Sequence, residues 1–172
     1  MNMPIKISAG LLMYRFRNST LELLLGHPGG PLYIEKDDGY WGIPKGEREG
    51  EEHLRDTAIR EFCEETGLLP EIEDVIPLGS IMDNTEKLIC IWAFQGNCDA
   101  GEEINSNLFE LEWPEGSGCV QLFPELDAIK FFSVQDAITK IEPDQREFVL
   151  RLERFLELRM AVSQLETYQV AI

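Results

Sequence analysis

The sequence predicts an α+β domain in which helices cover a β-sheet in layers. Three observations lead to this fold class: strand-length apolar runs come first, one helix is inserted after them, and further strands precede the last helices. The chain has 172 residues and no duplicated halves. We therefore expect one domain, large enough to close a core of its own.

The first part of the chain predicts a hairpin followed by a helix. Residues 5–16 and 21–27 form two apolar runs of strand length, separated by the turn-prone stretch RNST. A long connection rich in glycine, proline and charge follows, and connections of this kind often carry function. The helix is predicted from about Glu51 to Thr66, with Gly67 placed to take the left-handed cap conformation.

The middle of the chain predicts more strands. The stretches VIPLGSI, KLICIWAF and AIKFF each have strand length and apolar character. Between the last two, residues 95–126 are less regular: LFELEW alternates like a strand, and PEGSG is turn material.

Two helices are predicted at the end of the domain. Ser133 is placed to cap a short helix that runs through Lys140. Pro143 precedes a longer helix, whose apolar residues recur at helical spacing: Phe148, Leu152, Phe155 and Leu156. Residues 161–172 show no clear period, so we expect one domain over residues 1–160 and a tail of unknown role over 161–172.

The composition excludes several classes of protein. Thirty-two acidic residues face 15 basic ones, a net charge of -17, whereas binding to nucleic acid needs a basic surface. A polyanionic partner would have to arrive with cations. No run approaches the ~18 apolar residues of a membrane span. The early stretch ISAGLLMY is too short for a signal peptide, and the four cysteines lack metal-site spacing, so we expect a cytoplasmic protein.

The stretch REFCEETGL, residues 60–68, places three carboxylates on one helical turn. At ~100° per residue, Glu61, Glu64 and Glu65 share an arc of about 100°, with Arg60 at its edge. A solvated charged face with an intrahelical arginine is one interpretation. Three carboxylates at this spacing are also hard oxygen ligands for Mg²⁺ or Mn²⁺, and a bound cation would remove their repulsion.

The residues around this cluster resemble a known family. From Gly46 the chain gives five residues, Glu52, seven residues, and then the stretch REFCEETGL. This matches the Nudix box, GX5EX7REUXEEXGU with U apolar, at every specified position. Further stretches between residues 5 and 155 look like a bacterial subgroup labelled predicted NTP pyrophosphohydrolases. The resemblance implies a Nudix fold, a mixed β-sheet between helices in α/β/α layers.

The resemblance also implies roles for the residues of the box. Glu61, Glu64 and Glu65 become metal ligands, with Gly46 contributing its backbone carbonyl, and Mg²⁺ or alternatively Mn²⁺ is the expected cofactor. Glu52 is expected to hold Arg60 by a charge-assisted pair, and Arg60 to steady the glutamates. In the family the general base is either a glutamate of the box or a carboxylate from a distant loop, and Glu125 is the preferred candidate here. The expected catalytic residues are therefore Glu52, Arg60, Glu61, Glu64 and Glu125.

Glu125 precedes the AIKFF strand, where several relatives carry an acidic residue. The poorer alternatives for the base are Glu102, Glu103 and Glu112, and Glu125 also fits a plain surface residue.

Four residues are candidates for binding the substrate. Lys45 would add a positive charge to a phosphate, although an exposed loop lysine is more often only solvated. Tyr33, Tyr40 and Trp41 would stack on a nucleotide base, and the alternative for Trp41 is a core anchor beneath the loop.

The function implied is hydrolysis of a phosphoanhydride bond in a nucleoside diphosphate linked to another moiety. NTPs or dinucleoside polyphosphates are favoured as substrates, with nucleotide sugars or ADP-ribose as the alternative. A nucleotide-binding module without activity and an acidic structural domain are the rival classes. The resemblance leaves a homodimer open, and the tail after Met160 would either serve its interface or fray.

Overall fold

The computed structural model describes residues 5–98 and 104–170, with side chains described up to residue 166 at the carboxyl-terminal end. It contains eight strands, three helices and one 3₁₀ turn in these ranges. In chain order they are β1 (Ile7–Arg17), β2 (Thr20–Pro28), β3 (Lys45–Glu47), α1 (Leu54–Thr66), β4 (Val75–Met82), β5 (Leu88–Gln95), β6 (Leu108–Glu112), β7 (Val120–Pro124), β8 (Leu126–Ser133), α2 (Val134–Lys140), the 3₁₀ turn (Pro143–Gln145) and α3 (Arg146–Val170).

Six strands form one mixed sheet around β1. Its order is β4-β5-β1-β2-β8, and the short strand β3 pairs with the first part of β1. The pair β1 and β5 is parallel, whereas the other pairs are antiparallel. Strands β6 and β7 form a separate hairpin. The pairing of β3 with β1 places residues 45–47 beside the central strand of the sheet.

Helices cover both faces of this sheet. Alternate residues of a strand point to opposite faces, so each strand can contribute to the core on both sides. Ala58 and Phe62 of α1 pack on one face, in a cluster with Leu11. Leu12 points to the other face and joins a cluster with Phe148 of α3 and residues of α2. The predicted α+β class with helix layers on both sides of a mixed sheet is therefore confirmed.

The predicted local signals agree with the structure at several positions. The RNST stretch joins the antiparallel strands β1 and β2. Gly67 has a φ of 72° and donates its N–H to the Cys63 carbonyl, which ends α1 as a left-handed cap. The Ser133 hydroxyl accepts a hydrogen bond from the backbone N–H of Asp136 and so caps α2.

Other features of the chain were not predicted. Helix α1 begins at Leu54 rather than near Glu51, because Gly50 has a φ of 52° and Glu52 N–H closes a turn on the Glu49 carbonyl. Strands β3 and β7 were missed. Helix α3 continues without a break past Met160 to Val170, where no period was recognised. Within the described ranges, no helix is long and apolar enough to cross a membrane.

Candidate active site

The site forms where α1 lies against β3. Ala58 and Phe62 are fully buried on the sheet, which turns the Glu61 side of the helix towards β3. A Cβ built on Gly46 would overlap the Glu61 carboxylate. Glycine at this position therefore lets the Glu61 carboxylate lie against the strand, and an alanine would force that carboxylate to move. The Glu61 side chain is 12% exposed, and burial is the main cause that raises its pKa.

Arg60 holds the acidic side chains of the helix together. It donates Nε and Nη2 to the two carboxylate oxygens of Glu52, at 3.2 and 3.1 Å. Its Nη1 donates to Glu61 at 2.7 Å and to Glu64 at 3.1 Å, and its Nη2 also donates to the Glu47 carbonyl. The hydrogen bonds from Arg60 lower the pKa of the Glu52 carboxyl. One guanidinium thus offsets the repulsion among three carboxylates and ties the helix to β3.

Glu65 is the most deeply placed carboxyl of the cluster. Its Oε2 accepts a hydrogen bond of 3.0 Å from the backbone N–H of Lys45. Burial raises the pKa of Glu65 to about 8, although the nearby charge of Lys45 and this hydrogen bond act to lower it. The metal-free protein therefore holds a proton at this position near neutral pH.

Glu125 lies within electrostatic reach of the helix. Its charge raises the pKa of both Glu61 and Glu65, after the larger effect of burial. Glu112 instead lies in the β6–β7 hairpin, is exposed and accepts a hydrogen bond from Gly118 N–H. Glu102 and Glu103 fall outside the described residues. Among the candidate bases that the structure describes, Glu125 is the one whose charge acts on both glutamates.

The backbone of Asn107 connects Glu125 to α1. The Asn107 N–H donates to the carbonyl of Glu64 in the last turn of the helix, at 2.9 Å, and the Asn107 carbonyl accepts from Glu125 N–H at 2.8 Å. Carbonyls of a last helical turn lack partners within the helix, so this bond uses a free acceptor. Because Asn107 acts through its main chain, no side-chain pattern in the sequence indicated its role.

Lys45 is close enough to Glu65 for its charge to affect the carboxyl pKa. Within the part of the chain that the structure describes, no ion pair of its ammonium group is found. Two other lysines of that part, Lys87 and Lys140, are paired with carboxylates. Lys45 thus offers a cation beside the acidic cluster that is not neutralised by an ion pair.

Trp41 is a core residue, so its predicted stacking on a base needs correction. The indole is 9% exposed, packs edge-on against Phe132 at 4.8 Å between ring centroids, and donates Nε1–H to Asp37. Its faces are therefore not available to a ligand, and the alternative of a core anchor describes it.

Tyr33 and Tyr40 are more exposed and lie 6.4 Å apart between ring centroids. Tyr40 lines a shallow groove with residues of α2, which packs on the other face of the sheet from α1. The structure shows no contact between these two tyrosines and the described glutamates of α1, so their stacking on a base stays a prediction.

His27 is a buried residue that connects two parts of the chain. Its Nδ1 lies 2.7 Å from Asp127 Oδ1, and its Nε2 lies 2.8 Å from the Lys36 carbonyl. The ring is 6% exposed and packs on Trp41. His27 therefore ties the connection between β2 and β3 to the start of β8, two residues beyond Glu125.

The acidic cluster has the donor chemistry of a Mg²⁺ site. Within residues 5–98 and 104–170, no three His, Cys, Asp or Glu side chains form a metal-binding group. Arg60 bonds Glu61 and Glu64, while Glu65 faces the N–H of Lys45. Carboxylate oxygens on one helix face, beside a glycine that leaves room for them, nevertheless fit a hard cation. Binding of Mg²⁺ or Mn²⁺ by these residues and Gly46 stays a prediction.

Comparison with known proteins agrees with the resemblance seen in the sequence. A model of the NUDIX domain matches residues 5–152. The chain is similar to the NUDIX domain of Shewanella oneidensis NrtR, complexed with ADP ribose, with a TM-score of 0.62, 14% identity and 90% of each chain covered. It is also similar to a C. elegans Ap4A hydrolase, with a TM-score of 0.59, 23% identity, and 87% of this chain and 98% of that chain covered.

A third solved structure, a mutT/nudix family protein from Listeria innocua, has a TM-score of 0.61 and 14% identity, covering 94% of this chain and 99% of that chain. At these identities the solved structures establish the fold, and they confirm the predicted Nudix architecture. The match to the family model spans most of the sequence. This chain therefore belongs to the NUDIX domain family.

Proposed function

We propose that this protein is a Mg²⁺-dependent pyrophosphohydrolase that cleaves a phosphoanhydride bond of a nucleoside diphosphate linked to another moiety. The observation that carries the proposal is the complete carboxylate cluster of α1, held by Arg60 and closed against Gly46. A binding module without activity would not need this arrangement of carboxylates around a clamp. Family membership supports the same reaction class.

Each residue of the cluster has a defined task in this proposal. Mg²⁺, when bound, neutralises phosphate oxygens and makes water a stronger acid. Glu61, Glu64 and Glu65 would hold it, and Arg60 keeps the first two in place without contacting the substrate. We assign the role of general base to Glu125, whose carboxylate lies near enough to Glu61 and Glu65 for its charge to raise their pKa values.

Lys45 approaches a phosphate group of the substrate. Its backbone positions Glu65, and its unpaired ammonium adds positive charge beside a cluster of carboxylates. This charge complements the metal in drawing a polyanion to a protein of net charge -17.

The favoured substrates are NTPs and dinucleoside polyphosphates. Support comes from the likeness to the C. elegans Ap4A hydrolase, which is 23% identical to this chain, whereas the NrtR domain is 14% identical. ADP-ribose is the second candidate, because the NrtR domain that resembles this chain is complexed with it. Nucleotide sugars are the remaining alternative class of substrate.

A substrate panel tests the proposal. The purified protein is incubated with NTPs, dinucleoside polyphosphates, ADP-ribose and nucleotide sugars, with Mg²⁺, with Mn²⁺ and with a chelator, and the products are identified. We expect metal-dependent release of products cleaved at a phosphoanhydride bond. Tight nucleotide binding without any product in either metal would reject hydrolysis and favour a binding module.

A further inference from the structure

Helix α3 carries two apolar stripes, and only one of them is used by the fold. The first stripe, Phe148, Val149, Leu152 and Leu156, is buried against the sheet. The second stripe consists of Phe155, Leu158, Val162 and Leu165, whose side chains are 42, 60, 54 and 65% exposed. Scattered exposed apolar residues are normal on a protein surface, but a continuous row on one side of a helix indicates an interaction surface.

The spacing of the second stripe indicates what kind of partner fits. Its members are three, four and three residues apart. Alternating steps of three and four residues are the spacing at which two helices pack side by side along a shared apolar seam. An extended peptide or a flat sheet would not select this spacing. The partner of the stripe is therefore another helix with the same repeat.

Beyond Leu156, the side of α3 that continues the first stripe does not pack into the core. The first stripe ends at Leu156, and the positions that continue it are occupied by Arg159, Met160 and Ser163. These three residues line a cavity of about 850 Å³ instead of joining the core. Beyond Leu156 the second stripe is thus the main apolar surface of the helix.

We propose that the second stripe is the interface of a homodimer, in which two α3 helices pack antiparallel around a two-fold axis near Met160. In this arrangement Phe155 lies against Leu165 of the second copy, and Leu158 lies against Val162 of the second copy. The stripe is then complementary to itself, as a two-fold interface requires.

The charges beside the stripe select the antiparallel direction. Arg159 and Glu166 lie on the same flank, and Arg154 lies on the opposite flank. Antiparallel helices bring like flanks together. The two Arg159 side chains lie nearest the axis and tilt away from each other, each towards the N-terminus of its own helix, so each comes within reach of Glu166 of the other copy. Parallel helices would instead bring Arg154 of one copy to Arg159 of the other, which is repulsive. All three side chains are exposed and able to make such contacts.

Sedimentation equilibrium from about 1 to 500 µM tests the proposal. A helix pair of this size is a small interface, so we expect the wild-type mass to rise from monomer to dimer with a Kd of roughly 10–100 µM. Leu158→Glu buries a charge in the seam and should raise Kd about 30-fold or more. The matched control is Leu150→Glu, at an exposed leucine of the same helix outside both stripes, which should leave Kd unchanged.

Charge reversal tests the direction of the helices. Arg159→Glu should raise Kd by roughly 3- to 10-fold, because it places two acids beside each other in the antiparallel pair. Combining it with Glu166→Arg should restore wild-type association. Circular dichroism checks that each variant keeps its helix.

Two results would overturn the proposal. One is a wild-type protein that stays monomeric through 500 µM, which would show that the stripe does not join two copies. The other is tighter association of Arg159→Glu, which is the response of a parallel pair. Neither outcome depends on whether the protein hydrolyses nucleotides, so the proposed function can fail or succeed separately.

Discussion

Helices α1 and α3 cover opposite faces of the same sheet and use their outer sides in different ways. Each buries one apolar stripe, centred on Phe62 in α1 and on Leu152 in α3. The remaining side of α1 carries carboxylates that Arg60 holds at hydrogen-bond distance. The remaining side of α3 carries exposed apolar residues.

Packing on the sheet explains the inner side of each helix but not the outer side. Burial on the sheet accounts for the inner side of both helices. The like charges of α1 and the exposed leucines of α3 are both unfavourable for an isolated monomer in water, so each indicates a missing partner. The proposed partner of α1 is a cation with its nucleotide, and the proposed partner of α3 is the α3 helix of a second copy.

The largest expected effect is the loss of activity in Glu65→Gln. The amide keeps the shape of the side chain and an oxygen that accepts from Lys45 N–H, but it removes the negative charge. Because metal and charge stabilisation supply several kcal/mol, kcat should fall by roughly 10³-fold or more. Steady-state kinetics measures the effect, and Glu71→Gln, an exposed acid after α1, is the control. Wild-type turnover in Glu65→Gln would disprove the site.

Gly46→Ala should have the next largest effect. The added Cβ would overlap the Glu61 carboxylate, so this carboxylate must leave its position beside Arg60. We expect a loss of about 1–3 kcal/mol in the free energy of unfolding, measured by urea denaturation, together with reduced kcat/KM. The same substitution in a Glu61→Ala background should cost little stability. An equal loss in both backgrounds would mean that another contact, and not Glu61, requires glycine.

Arg60→Lys should weaken metal binding without abolishing the reaction. An ammonium group cannot bond Glu52, Glu61 and Glu64 at the same time, as the guanidinium does. Loss of a group that orients ligands typically costs 10- to 100-fold in metal affinity, so the Mg²⁺ concentration for half-maximal activity should rise by about that factor. Arg55→Lys, at an exposed position of the same helix, is expected to match the wild type.

The metal-free protein should become less stable as the pH rises. The folded-state pKa of Glu65 is about 8, above its ordinary value of 4.5, so the folded protein binds the extra proton. The stability that this carboxyl contributes is full below about pH 4.5 and is lost as the pH approaches 8. Thermal melts in a chelator should show this decline, up to about 5 kcal/mol for the full change from 4.5 to about 8, and Glu65→Gln should reduce it. A flat profile from pH 5 to 8 would contradict the burial of Glu65.

Ending the chain after Met160 should have the smallest effect on catalysis. Residues 161–166 are exposed, so we expect kcat within about twofold of the wild type and a change in monomer stability near 0.5 kcal/mol. The same truncation removes Val162 and Leu165 and should prevent association. A large loss of kcat would show that the tail belongs to the active site and would shift the predicted domain boundary at residue 160.

Local signals in the sequence predicted the elements that depend on them. The RNST turn, the Gly67 cap and the Ser133 cap each rest on the chemistry of one or two residues. Strand β3 escaped prediction because Lys-Gly-Glu has no apolar alternation, and it exists through pairing with residues 8–10. The parallel pairing of β1 with β5 joins segments about 80 residues apart, which no local pattern encodes.

The spacing of the Nudix box predicted which residues form the candidate site, and the structure adds the contacts that hold their side chains. The Glu52–Arg60 pair is present, and Glu125 acts electrostatically on α1. Trp41 shows the limit of residue type as evidence, because an indole in a loop suits both a ligand and a core. The period of residues 161–170 was missed because the core-facing positions beyond Leu156 lose their apolar character, and an exposed stripe has no partner within the chain.

The main-chain bridge at Asn107 gives this Nudix scaffold freedom to diversify. Its N–H and carbonyl fix the separation between the end of α1 and Glu125, and neither bond depends on the asparagine side chain. Substitutions at this position and in the β6–β7 hairpin beyond it can therefore accumulate over evolution while the spacing between Glu125 and the glutamates of α1 is kept. An insertion or deletion between residues 107 and 125 would be tolerated at the hairpin tip and selected against at its base.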